Sequence, residues 1–157
     1  MVGLLVLAVL VLFIVLATAN NDDSSSGARS AASALQVMQP SVTQLAPDGE
    51  ITIPAGSIQS FEWNVTPQQA QCHVTGHIEV TDGGAKDVQV VVLAKDDYQN
   101  FVNGHEAHAY FQTDKTTAVT LDARTGQASP MVLAVSNGFS TVTVKKVRLT
   151  GLRATCT

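Results

Sequence analysis

The chain has little to do chemistry with. Of its 157 residues only 14% are charged and 5% aromatic, and two are cysteines. No G-x-S-x-G occurs, and no serine or cysteine has a base beside it, so a nucleophilic hydrolase is excluded. Adjacent carboxylates occur only as Asp22-Asp23 and Asp96-Asp97, side by side and solvated rather than placed across a substrate. The nine Lys and Arg are scattered and the formal net charge is -4. That argues against a nucleic-acid partner, because phosphate binding needs clustered cations. The nearest cluster, Lys145, Lys146 and Arg148, reads as a charged strand edge that discourages edge-to-edge pairing. Beyond the first residues no segment has helical period, so no Gly-rich loop precedes a helix that could seat a phosphate. The expectation is a chain that is not an enzyme and needs no cofactor.

What is present begins with an apolar leader. Met1 to Ala19 carries no charged side chain and is rich in Leu and Val. Ala17-Thr18-Ala19 supplies the small-x-small pattern of a signal peptidase site, with cleavage after Ala19. A basic start is missing, and the run is just long enough to span a bilayer, so residues 1–19 read as a signal peptide or an uncleaved membrane anchor. Either way the rest of the chain is extracytoplasmic: secreted, periplasmic, or anchored by this segment, its only membrane contact. No cysteine follows to carry a lipid, and no Glu sits near the start as in a pilin leader. Residues 20–46 form a polar linker rich in Ser, Ala, Asn and Asp, ending in a candidate edge strand that Pro40 limits.

Residues 47–157 read as one all-β domain, a single jelly-roll or immunoglobulin-like antiparallel β-sandwich of roughly 110 residues. Val and Thr dominate and turn residues recur. Pro47-Asp48-Gly49 is a turn, Ile51 to Ile53 a brief strand, and Ser57 to Val65 another with a bulge after Ile58. Gln71 to Thr81 alternates cleanly, with Cys72, Val74, Gly76, Ile78 and Val80 on one face and His73, Thr75, His77 and Glu79 on the other. Asp87 to Lys95 and Met131 to Val135 are continuous apolar runs, as in strands covered on both faces. Asp96 to Glu106 reads as a polar loop anchored by Tyr98 and Phe101. Ala107 to Gln112 and Thr116 to Leu121 pair around Thr113-Asp114-Lys115. Asn137-Gly138 suits a type I′ turn, giving a hairpin whose second strand turns Val142 and Val144 inward and Thr141, Thr143 and Lys145 outward. Parity shifts near Lys145-Lys146 and near Gly151 imply two bulges in the last strand.

Gly83-Gly84-Ala85-Lys86-Asp87-Val88-Gln89-Val90, followed later by Ser136-Asn137-Gly138-Phe139-Ser140 and Lys146-Val147, resembles the GOLD (Golgi dynamics) domain. So do Val74-Thr75-Gly76-His77-Ile78 and Asp97-Tyr98-Gln99-Asn100-Phe101, which are similar to segments of exported bacterial and archaeal proteins with that strand order. The resemblance runs from Ile51 to Cys156 and implies a jelly-roll-like sandwich. It departs at Gln127-Ala128-Ser129-Pro130, where those domains have Gly-Tyr, and at Ala134, where they place a second cysteine. The coiled coil and sorting tail of the eukaryotic cargo receptors are not in this sequence either, so cargo-receptor function is not implied.

Cys72 and Cys156 each fall on the inward parity of a strand in a chain that reads as exported, which favours a disulfide over two buried thiols. Closing so long a loop contributes on the order of 4 kcal/mol in the chain-entropy model. Along a strand His73 and His77 stand about 13 Å apart, too far to share one zinc. His105 and His108 lie in or beside a loop and give a metal-dependent activity its only foothold; solvated histidines are the plainer reading, and no metal is expected. Asp97, Asn100, Asn103 and Glu106 are oxygen-rich but miss the EF-hand spacing. The leading functional expectation is a non-catalytic cell-surface or secreted module for protein interaction or structure. The alternative is a small-ligand or glycan module using the candidate binding loop Asp97, Tyr98, Asn100, Phe101 and Asn103.

Overall fold

The computed structural model describes residues 40–126 and 130–157. The leader, its cleavage position after Ala19, the linker before Pro40 and Gln127-Ala128-Ser129 lie outside the described residues. Among those described, no helix is long and apolar enough to cross a membrane.

Among the described residues nine strands and one short helix follow in order: β1 (Ser41–Gln44), β2 (Gly49–Ile53), β3 (Ile58–Trp63), β4 (Cys72–Asp82), β5 (Gln89–Ala94), α1 (Lys95–Val102), β6 (Ala109–Gln112), β7 (Ala118–Thr125), β8 (Met131–Ser136) and β9 (Lys145–Cys156). They form an all-β antiparallel sandwich. One sheet runs β1-β9-β4-β7, with β2 also paired to β9, and the other runs β3-β8-β5-β6. Alternation in β4 and β9 turns Val74, Ile78, Val80, Val147, Leu149, Leu152 and Ala154 inward. There they meet Trp63, Val90, Val92, Met131, Leu133 and Val135 of the other sheet.

The helix explains the two uninterrupted apolar runs. Val91, Leu93, Val132 and Ala134 point to the outer face of the four-stranded sheet and are fully buried, with Tyr98 and Phe101 packed against them. Tyr98 and Phe101 are three residues apart and so share one helix face. Asp96 and Asp97 occupy the first turn, where the helix dipole favours negative charge. The segment expected as a loop is therefore a helix over most of its length, and its aromatics cover a sheet. Ile58 packs on this outer cluster while Phe61 and Trp63 face the main core. That accounts for the parity change in β3, which pairs with β8 in unbroken register and has no bulge.

Two expected hairpins are overturned. β6 pairs with β5 and β7 with β4, in different sheets. β8 pairs with β3 and β5, whereas β9 belongs to the opposite sheet, so residues 137–144 cross between sheets. Asn137 makes this crossing. Its amide, fully buried, donates to the carbonyls of Ile53 (3.3 Å), Pro54 (3.0 Å) and Thr143 (2.8 Å). Three of the expected positions are overturned as well: Val142 is 86% and Val144 49% exposed, while Lys145 is 2% exposed; Thr141 is exposed as expected.

Lys145 is tolerated inside because it has partners. Its Nζ donates to Asp87 Oδ1 at 2.8 Å and to the Gly83 carbonyl at 2.9 Å. The hydrogen bond from Lys145 holds the Asp87 carboxyl below the usual carboxylate range. Both expected irregularities exist. One sits at Gly151 of β9 and one in β4 between Val80 and Asp82, so the second belongs to the partner strand. Gly151 takes the left-handed conformation (φ +60) that such a bulge requires. Opposite it, Leu152 occupies the space a side chain at Gly76 would need; a Cβ there would lie 2.9 Å from Leu152 Cα. Cys72 and Cys156 face each other across β4 and β9 and form a disulfide that links positions 84 apart in sequence.

Candidate binding face

The two sheets differ in what covers their outer surfaces. The four-stranded sheet carries α1. Nothing among the described residues covers the outer face of β9, β4 and β7, and apart from Ala118 the residues in its rows are polar. Register sets them in rows: Arg124, His73 and Thr155; then Asp122, Thr75 and Arg153; then Thr120, His77 and Thr150; then Ala118, Glu79 and Arg148. Each row draws one residue from each strand because side chains at i, i+2 and i+4 share a face.

A broad, shallow depression of about 520 Å³ runs over this face, lined by His73, Thr75, His77, Thr120, Asp122 and Arg153 among others. A second, of about 210 Å³, shares His73 and continues to Arg124, Thr155 and Thr157. His73 Nε2 lies 2.6 Å from Asp122 Oδ1, and His77 Nδ1 lies 3.3 Å from Thr120 Oγ1. Charge is uneven along the face. Arg148 has carboxylates on both sides, Glu50 and Glu79, in register. Toward the disulfide end Arg124, Arg153 and His73 stand around Asp122 in register, and of these His73 is in hydrogen-bonding distance of its carboxylate. Arg153 Nε donates to the Gly151 carbonyl at 3.4 Å.

The residues singled out from sequence fall elsewhere. Tyr98 and Phe101 are half-buried under the helix. Asp97 Oδ1 accepts the His108 N–H at 3.3 Å, and Asn103 Nδ2 donates to the Gln99 carbonyl at 2.8 Å. Asn100, Asn103, His105 and His108 are exposed. The His108 ring stands edge-on to Tyr110, with centroids 5.6 Å apart. Among the described residues no group of three or more His, Cys, Asp or Glu is placed to hold a metal ion. Sequence reasoning assigned His73 and Thr75 to one strand face. It missed Asp122, Arg124 and Arg153, whose outward parity was legible but whose neighbours were not.

No family model matches the chain, and no curated protein matches it. Among solved structures, a crystal structure of the Drosophila NLP core, described in terms of pentamer formation and histone binding, matches at 18% identity and a TM-score of 0.33. The match covers 66% of this chain and 98% of that one. At that score the likeness carries no argument about activity or partners. The segments behind the GOLD resemblance are ordinary parts of the sandwich: Gly83 to Val90 leads into β5, Val74 to Ile78 lies in β4, Asp97 to Phe101 lies in α1, and Ser136 to Ser140 opens the crossing between sheets. Such features recur wherever two sheets pack; no family model matches and the solved structures that match include the NLP core, so the GOLD resemblance is corrected and no family is assigned.

Proposed function

We propose that this chain is a non-catalytic, extracytoplasmic β-sandwich that meets a partner on the uncovered outer face of its five-stranded sheet. The observation that carries the proposal is the asymmetry between the faces: one sheet is sealed by α1, and the other presents polar side chains and shallow depressions to solvent. Flat polar sheet faces suit recognition of a protein or glycan surface better than capture of a small molecule, which needs a concave, mostly apolar pocket. The Cys72–Cys156 pairing supports an oxidising location, in keeping with the leader. The orders β2-β9-β4-β7 and β3-β8-β5-β6 favour the jelly-roll reading over the immunoglobulin one, since the chain passes from sheet to sheet as two Greek keys require.

The test is saturable binding of the labelled full chain to intact cells of its source. Arg124→Glu with Arg153→Glu reverses charge on the face without touching the core. Binding that is lost in this variant, with an unchanged circular-dichroism spectrum, is the expected result. Binding that is absent from the parent protein, or equal in both, refutes the proposal. The N-terminal residue of the mature protein separately checks export: a chain starting at Asn20 is secreted, and one retaining Met1 is anchored.

A further inference from the structure

Sheet edges expose unpaired backbone N–H and C=O groups, and proteins protect them with short strands, prolines, bulges or charge. The edges of this sandwich are protected unequally among the described residues. β1 and β2 share one edge; they are four and five residues long and bracketed by Pro40, Pro47 and Pro54. β6 has four residues and an irregular register with β5. β3 lies between Pro54 and Pro67. β7 is eight residues long, contains no proline, and pairs with β4 over its whole length without a register shift.

The direction of its free groups can be worked out. Gln71 and Thr157 exchange both backbone hydrogen bonds, at 3.3 and 2.9 Å. Antiparallel pairs alternate between bonded and non-bonded, so Cys72 and Cys156 are a non-bonded pair. The N–H and C=O of Cys72 therefore point toward β7, making Cys72 and Thr125 a bonded pair. Carried along the unbroken register, this gives Val119, Leu121, Ala123 and Thr125 bonded to β4. The Val80 N–H, which donates to the Thr117 carbonyl at 2.8 Å, fits the same alternation. Ala118, Thr120, Asp122 and Arg124 then direct their backbone groups away from the sheet.

We infer that this edge pairs with a second copy of itself. An antiparallel β7 from another chain, centred on Ala123, sets Asp122 opposite the second copy's Arg124, and Arg124 opposite its Asp122. Residues 122 and 124 both direct backbone groups outward, so this register also matches donors to acceptors. Centring on Asp122 would oppose like charges, which is destabilising. Arg124 forms no ion pair within one chain among the described residues, and Asp122, though bonded to His73, has its side chain 77% exposed. The result is a twofold dimer with one continuous sheet, its self-complementary patch shared by both partners. This inference shares Asp122 and Arg124 with the proposed binding face but rests on the unpaired backbone of the edge, and its readout is self-association of the purified chain with no partner present.

The test is sedimentation equilibrium of the full chain in density-matched detergent. The parent protein should show a concentration-dependent monomer–dimer equilibrium. Arg124→Asp and Asp122→Arg each place like charges opposite one another and should weaken association by about tenfold or more. An equimolar mixture of the two variants restores opposite charges and should recover dimer within about threefold of the parent. Thr120→Pro removes an N–H that points outward, so the fold should persist by circular dichroism while the dimer is lost. A parent protein that stays monomeric overturns the inference. So does association of equal strength in all variants, which would place the contact elsewhere.

Discussion

Asp87 and Lys145 offer the most discriminating perturbation, because the two partners differ in access to water. The Lys145 side chain is 2% exposed and that of Asp87 20%. At 2.8 Å and an effective dielectric near 20, the attraction is about 6 kcal/mol before desolvation, which costs several kcal/mol for the ammonium. Asp87→Ala leaves a buried cation with only the Gly83 carbonyl. We expect a loss of about 3 kcal/mol, the lower end for a broken buried pair. Lys145→Met leaves a carboxylate that can take water, and the Gly83 carbonyl keeps the Lys86 N–H at 2.9 Å. We expect about 1 kcal/mol or less there. Asp87→Asn, which keeps an acceptor and loses the charge, should fall between. Thermal unfolding is the assay, with Asp87→Ala lowering Tm by about 10–15 °C for a domain this size. The pH dependence has a definite sign. The folded carboxyl titrates below its ordinary value, so its contribution is present above the unfolded aspartate value of about 3.9 and is lost as pH falls through the folded value. The stability difference between parent and Asp87→Asn should shrink over that acid window. A Lys145→Met cost equal to or above that of Asp87→Ala would refute the reasoning.

Removing the disulfide with Cys72→Ser and Cys156→Ser should cost about 3–4.5 kcal/mol by denaturant unfolding, given the long loop it closes. Asn137→Ala should cost about 2–3 kcal/mol by the same assay, because buried carbonyls in the crossing between sheets lose their donor. Phe101→Ala should cost about 2 kcal/mol and raise the binding of a hydrophobic dye, as the outer face of the four-stranded sheet becomes uncovered.

Much of the strand content was legible because its cause is local. Alternation in Cys72 to Asp82 and the unbroken apolar runs of β5 and β8 follow from which faces are buried. The pairing was not legible, because it depends on distant residues. Asn137-Gly138 carries a strong hairpin signal, but the amide of Asn137 bonds carbonyls of Ile53 and Pro54 more than eighty positions away. Val142, Thr143, Val144 and Lys145 alternate as a strand would, yet the inward residue is the lysine, since Asp87 lies across the sandwich to receive it. The helix was missed because Lys95 to Val102 is short and polar, with only Tyr98 and Phe101 to mark its apolar face. The rows on the binding face required the register of three strands, of which one strand's parity supplies only the middle column.

The open outer face of β9, β4 and β7 depends on the placement of β8 and β9 in different sheets. Hα–Hα nuclear Overhauser effects measure that directly, because non-bonded antiparallel pairs bring their Cα atoms to about 4.5 Å. A strong cross-peak between Val74 and Ala154 is expected. A cross-peak between Val135 and Ser140, the first non-bonded pair of a hairpin about Asn137-Gly138, would contradict this placement.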